Sequence, residues 1–126
     1  MKTITITVGD FSLSAELNQS GTAEEIWNAL PIEGTASTWG EEIYFSIPLI
    51  LGPEAGARTD VEVGDLGYWP PGHAFCIFFG LTPASSNQAP RAASPVNIFG
   101  KVVGDATVLK EIRAGSKVKI TPIAYA

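Results

Sequence analysis

Cysteine, histidine and positive charge are all scarce in this chain, and each scarcity excludes something. Its 126 residues contain one cysteine, Cys76, and one histidine, His73. A lone cysteine rules out an intrachain disulfide and agrees with a reducing compartment. Lysine and arginine together number 8 against 13 aspartates and glutamates, giving a formal net charge of −5. Nucleic-acid binders draw affinity from clustered basic side chains. The basic residues here are scattered, so no nucleic-acid partner and no membrane surface is expected. No apolar run approaches the ~18 residues that span a bilayer. The opening residues, MKTITITVGD, alternate threonine with isoleucine and valine where a secretory leader needs an unbroken apolar stretch. The expectation is a cytoplasmic protein. Walker A, G-x-G-x-x-G, G-x-S-x-G and H-E-x-x-H patterns are all missing, so nucleotide, serine-hydrolase and zinc-protease readings have no motif behind them, and no cofactor is expected.

What is present is apolar and strand-like. Hydrophobic residues make up 45% and charged residues 17%, below the roughly 25% charged that is usual. Such a surface has room for an apolar groove or a subunit contact, so a homo-oligomer is among the expectations. The length suits one domain over residues 1–126, able to bury a core without a disulfide or metal. Residues 3–8 and 11–17 each alternate apolar with polar, and Gly9-Asp10 between them is a two-residue hairpin signal. Closing on that turn pairs Val8 with Phe11, Ile6 with Leu13 and Ile4 with Ala15, with all apolar side chains on one face. Thr22 and Glu25 have capping-box spacing ahead of Ile26, Trp27 and Leu30, and Pro31 stops that helix. Strands are expected over 35–39, 41–47, 61–63, 66–69, 74–79, 97–103 and 117–123. Residues 74–79 are apolar on both faces, which suits a central strand. Pro122 suits the end of the last strand. Asp105 caps a second short helix carrying Val108, Leu109 and Ile112, with Gly115 past its end. Residues 81–96, rich in alanine, proline and serine, read as a long loop of the kind that is usually functional.

About eight strands and two short helices therefore point to a mainly β protein. A sheet rolled into a closed barrel, with helices over its ends, leaves no exposed edge.

The stretch from Asn97 to Val103, NIFGKVV, followed by Gly104, Asp105 and the apolar residues Val108 to Ile112, resembles the C-terminal signature of cyclophilins. Phe75-Cys76-Ile77 is similar to that family's Phe-Phe-Ile strand. The segments from Trp39 to Phe45 and from Gly64 to Gly72 are similar to the small prokaryotic cyclophilin-like proteins. The resemblance implies a closed cyclophilin-like β-barrel and, in its catalytic members, peptidyl-prolyl cis-trans isomerase activity. Those members place an arginine beside a phenylalanine upstream of the Phe-Phe-Ile strand, to donate to the substrate carbonyl of a twisting X-Pro bond whose barrier is about 18–20 kcal/mol. Here the only arginine before Phe75 is Arg58, without a neighbouring phenylalanine, and the family's glutamine falls at Ala74.

The residues expected to form a binding site are Tyr44, Trp69, His73, Phe78 and Arg91. Tyr44 shares a strand face with Glu42 and Ser46, opposite Phe45, and tyrosine and tryptophan favour the rim of a site. Trp39 and Tyr68 are equally open to cleft or core. His73 follows a Pro-Pro-Gly turn, either facing solvent or serving a cleft as a hydrogen-bond or acid–base group. Arg91 is the one charge in the 81–96 loop, placed to clamp an anion or carbonyl or simply to keep the loop soluble. Cys76 reads as a core residue. His73 and Cys76, three apart on a strand, point to opposite faces, and a transition-metal site needs three or four ligands, so no metal is expected. The central acids, Glu41, Glu42, Asp60, Glu62 and Asp65, read as solvated strand ends or, where environments split their pKa values, as acid–base groups; adjacent Glu41 and Glu42 point to opposite faces and are no pair by themselves. Three functions remain open: a module binding a small molecule or short peptide in an aromatic-rimmed cleft, a divergent prolyl isomerase, and an assembly role.

Overall fold

The alternation of the first seventeen residues builds the expected hairpin. In the computed structural model, which describes residues 2–123, β1 (Thr3–Val8) and β2 (Phe11–Leu17) pair with Val8 opposite Phe11, Ile6 opposite Leu13 and Ile4 opposite Ala15. Residue 1 and residues 124–126 of the expected 1–126 domain lie outside the described range. Ile4, Ile6 and Val8 are fully buried, as alternation on a half-buried sheet requires.

The helix α1 (Gly21–Ala29) begins two residues earlier than expected. Ser20, not Thr22, is the N-cap, and its hydroxyl accepts from the Ala23 amide at 3.1 Å. Thr22 lies inside the helix and is buried, donating its hydroxyl to the Glu54 carboxylate and accepting from Asn97 Nδ2 at 3.1 Å. A tertiary network claims the side chain that local spacing assigns to a cap. The helix ends where Pro31 forces Leu30 into extended backbone.

The remaining strands are β3 (Ile32–Thr35), β4 (Ser37–Thr38), β5 (Glu42–Ser46), β6 (Arg58–Asp60), β7 (Asp65–Trp69), β8 (Ala74–Phe78), β9 (Arg91–Val103) and β10 (Lys117–Pro122). Short 3-10 turns cover Pro70–Gly72 and Ala106–Glu111, the second capped by Asp105. The sheet runs β3-β10-β1-β2-β9-β7-β8-β5-β4, with β6 paired to β9 alone. The architecture is mainly β, as expected, but among the described residues hydrogen bonds do not close the sheet into the expected barrel. Its two ends, β3 and β4, are successive pieces of chain separated only by Ala36. β3 passes so close to Phe45 that a Cβ on Gly34 would sit 2.7 Å from the ring. Side-chain contact thus stands where a last ladder would be.

Two further boundaries differ from the sequence reading. The expected strand at 61–63 lies instead at Arg58–Asp60. The expected loop over 81–96 ends at Pro90, because β9 already starts at Arg91 and its first half pairs with β6, Arg58 opposite Val96 and Asp60 opposite Arg91. A strand carrying Pro95 reads locally as a loop; an outlying two-strand flap tolerates it.

The core lies inside the curved sheet. Phe75 is its hub, stacked on Phe45 at 5.1 Å between centroids and met edge-on by Phe99 at 4.9 Å. Tyr68 is also buried there, its hydroxyl donating to the Leu49 carbonyl at 2.7 Å and accepting from the Leu51 amide at 3.0 Å.

Candidate functional site

The outer face of β5, β8 and β7 carries a second, smaller core. Every side chain of β8 is buried, so this strand is covered on both sides, as its unbroken apolar sequence implies. Val61, Ala74, Cys76, Phe78, Ala92 and Val96 cluster on the outer side, with Tyr44, Trp69 and Ile98 against them. Strand pairing sets the layout. Glu42 stands opposite Phe78, Tyr44 opposite Cys76, and Trp69 opposite Ala74. The cover is the first half of β9, folded over the face together with β6.

Two devices hold that cover. The register of β7 against β9 shifts between Leu66 and Gly67, a bulge that redirects β9. Val96 then presses so closely on Gly67 that a Cβ there would lie 2.9 Å from Val96 Cγ2, so only glycine fits. Second, the Trp69 indole donates to Ser94 Oγ at 2.7 Å, tying β7 to the flap.

Between flap and sheet is a cavity of about 210 Å³ lined by Trp39, Glu42, Tyr44, Trp69, Ala92, Ala93 and Val96. Trp39 reaches it from the β4–β5 turn, where its amide donates to the Glu42 carbonyl at 3.0 Å. Glu42 is 7% exposed and, among the described residues, no ion pair reaches it. Burial pushes its carboxyl up to about 7, only partly offset by the nearby Cys76 thiol. Burial, and then the charge of Glu42, push the Cys76 thiol well up, so it stays protonated and inert as a nucleophile. The cavity therefore joins three aromatic surfaces to one acid whose proton is exchangeable near neutral pH, the combination expected of a functional site.

Tyr44 and Trp69 line this cavity, and Phe78 lies beneath it, fully buried in the outer cluster. His73 and Arg91 are not among its lining residues. His73 is in left-handed backbone (φ 48°) after the Pro70–Gly72 turn. Arg91 is exposed and pairs with Asp60 at 3.0 Å. Glu42 is the residue whose sequence reading changes most. It is no solvated strand end, because β8 and the flap, both distant in sequence, cover it. Trp39, open between core and cleft in the sequence, belongs to the cavity; Tyr68 belongs to the core. Ala92, Ala93 and Val96 carried no signal, since small residues in a Pro/Ser-rich stretch look like a loop.

The other buried acid is a structural one. Asp65 accepts from the Glu62 amide at 2.8 Å and lies 3.7 Å from Arg58 Nη2 and 3.8 Å from Lys101 Nζ. Among the described residues no group of three or more His, Cys, Asp or Glu side chains is placed to hold a metal, and no helix is long and apolar enough to cross a membrane.

A protein-family model described as cyclophilin-like matches residues 2–121. Among solved structures, the chain is similar to a hypothetical protein from Archaeoglobus fulgidus known from its solution structure. The two share 35% identity with a TM-score of 0.81, over 97% of this chain and 95% of that one. It is similar in fold to McbB, solved in complex with tryptophan, at 18% identity and a TM-score of 0.73. That match covers 98% of this chain but 45% of McbB, so the chain spans less than half of that protein. No curated protein matches.

Proposed function

The chain belongs to the cyclophilin-like family, and from that premise we propose that it is a binding protein whose ligand occupies the cavity between the β9 flap and the β5–β8–β7 face. The observation that carries this reading is the meeting of Trp39, Tyr44 and Trp69 around the buried Glu42 carboxyl. At about 210 Å³ the cavity is smaller than the roughly 300–1,000 Å³ of drug-sized sites. It suits a small molecule, or one side chain of a short peptide. McbB, which shares this fold over 45% of its length, is solved in complex with tryptophan, a small molecule of the size the reading calls for.

Prolyl isomerisation draws no comparable support. Arg58 is engaged with Asp65, and the lining of the cavity includes no arginine. No donor corresponding to the family's catalytic arginine faces the cavity, so fold alone would have to carry the activity.

The test is a fragment and short-peptide screen by ¹⁵N NMR on the full chain. Binders should shift the indole N–H signals of Trp39 and Trp69 and leave that of Trp27, which is outside the cavity and has Lys2 over its ring. Tyr44→Ala and Trp69→Ala should each weaken the hits at least tenfold. A library that moves neither indole, or hits indifferent to both substitutions, rejects the proposal.

A further inference from the structure

The binding reading leaves the chemistry of the ligand open, and the cavity's own groups narrow it. A carboxylate buried beyond nine-tenths normally has a cation beside it, because an isolated charge in a poor solvent is costly. Asp65 conforms, with Arg58 and Lys101 alongside. Glu42 does not: no described lysine, arginine or histidine reaches it. The missing counter-charge is the first pointer to a cationic guest.

The second pointer is independent of Glu42. Two indoles and a phenol line a cavity this small. The faces of such rings carry negative quadrupole density and attract a cation held within about 6 Å of their centres. Aromatic walls alone would serve any apolar guest. Aromatic walls beside an unpaired acid discriminate in favour of positive charge.

Which cation follows from the hydrogen-bond inventory. A primary ammonium brings three N–H donors, each needing an acceptor when buried. Among the lining side chains the acceptors, the Glu42 carboxylate and the Tyr44 hydroxyl, both stand on one face of β5 and so meet three diverging N–H donors from one side only; tryptophan nitrogen donates, and that of Trp69 is already given to Ser94. An ammonium whose hydrogens are replaced by alkyl groups makes no such demand. A metal ion is a poorer fit, because no described group of three or more ligating side chains is present.

We propose that this cavity takes an alkylated ammonium ion, with the cationic head against the Glu42 carboxylate and the alkyl groups on the faces of Trp39, Tyr44 and Trp69. This deepens the binding reading and rests on it. The empty site need not carry a full buried charge. Burial holds the Glu42 proton to about 7, so the acid is partly neutral until a cation draws it into the ionised form. The other titratable side chains facing it are Tyr44 on the same strand and Cys76 on β8. The lining residues from β7, β9 and the β4–β5 turn contribute none.

The test compares choline with 3,3-dimethylbutan-1-ol, the same shape with carbon in place of the charged nitrogen. Both are titrated into the ¹⁵N-labelled full chain, with the Trp39 and Trp69 indoles as reporters and Trp27 as the internal reference. Choline is expected to bind at least tenfold more tightly than the alcohol. In Glu42→Gln, confirmed as folded by the rest of its spectrum, that preference should fall below threefold. Equal affinities, or a preference that survives Glu42→Gln, overturn the cation while leaving the cavity as a binding site. If choline, tetramethylammonium and benzyltrimethylammonium all leave both indoles unmoved, the inference falls. If neutral fragments also leave them unmoved, the binding reading falls with it.

Discussion

The two faces of the β5–β8–β7 sheet are built from alternate residues of the same strands and reach opposite ends. Inward, Ile43, Phe45, Phe75 and Ile77 join Phe99 in the main core and are buried. Outward, Glu42, Tyr44 and Trp69 meet a thin flap of alanines and one valine, and space remains. The inner face is finished by large side chains from the whole sheet; the outer face depends on one half-strand lying across it. A face covered by small residues and holding an acid without a counter-charge gives up stability for a cavity, as binding sites commonly do.

The comparison is tested most severely on the inner face. Phe99 is fully buried and meets Phe75 edge-on at 4.9 Å. Phe99→Ala should destabilise the fold by about 3–5 kcal/mol in urea melts, the range for emptying a buried aromatic site. A change under about 1 kcal/mol would mean that the inner face is not the close-packed one.

The second prediction has the opposite sign and belongs to the outer face. The Glu42 carboxyl is raised from 4.5 to about 7. The folded state therefore holds this proton more tightly than the unfolded chain. Below about 4.5 both states are protonated and nothing is lost. As pH rises from there to just above 7, the unfolded state ionises first and the fold is progressively weakened. Complete, the loss is about 3 kcal/mol, since each tenfold tighter hold on a proton is worth about 1.36 kcal/mol. Glu42→Gln cannot titrate, so its stability should gain on the parent by about this amount between pH 4 and pH 8. Parallel urea curves at the two pH values check it, and other titrating groups cancel in the comparison. A constant difference across that range would mean that the fold holds the Glu42 proton no more tightly than the unfolded chain does.

Asp65 sharpens the same contrast. It is as buried as Glu42, yet it is paired and accepts a backbone amide. Asp65→Asn weakens hydrogen bonds to a charged acceptor and should destabilise by about 1.5–3 kcal/mol near neutral pH. Two carboxyl-to-amide changes of equal size would then move stability in opposite directions at pH 8. If both destabilise, Glu42 is held by partners of its own.

Local chemistry explains which parts of this contrast are legible in the sequence. The β1–β2 register follows from Gly9-Asp10 and alternation, because a two-residue turn and one buried face leave one pairing. The double burial of β8 follows from its unbroken apolar run. Tyr44 and Trp69 were within reach because an amphipathic aromatic on the face opposite Phe45 has few other places to go. Glu42 was not, because its environment is made by Cys76, Phe78 and the flap, at distances along the chain that no local pattern encodes. The flap itself was hidden by composition: Ala92, Ala93, Ser94 and Pro95 have loop chemistry, and only pairing with β6 makes them a strand. His73 and Arg91 stand out as the lone histidine and the loop's lone charge, but rarity does not bear on where a side chain points.

The smallest expected effect tests the flap's attachment. Ser94 accepts the Trp69 indole N–H at 2.7 Å, the one side-chain hydrogen bond from a cavity wall to the first half of β9 among the described residues. Ser94→Ala removes the acceptor without adding bulk. A partly exposed indole recovers some of the loss from water, so the penalty should be about 0.5–1.5 kcal/mol. Hydrogen exchange reads it more directly than melting does. In Ser94→Ala the Trp69 indole proton and the β6–β9 amides should exchange faster, while the Phe75 and Ile77 amides of β8 keep their protection. That split is what a thin cover on a finished core implies, since local opening is set by the contacts of the segment that opens. If protection fell equally on both faces, the flap would be part of the main cooperative unit, and the two faces would differ in composition but not in mechanical independence.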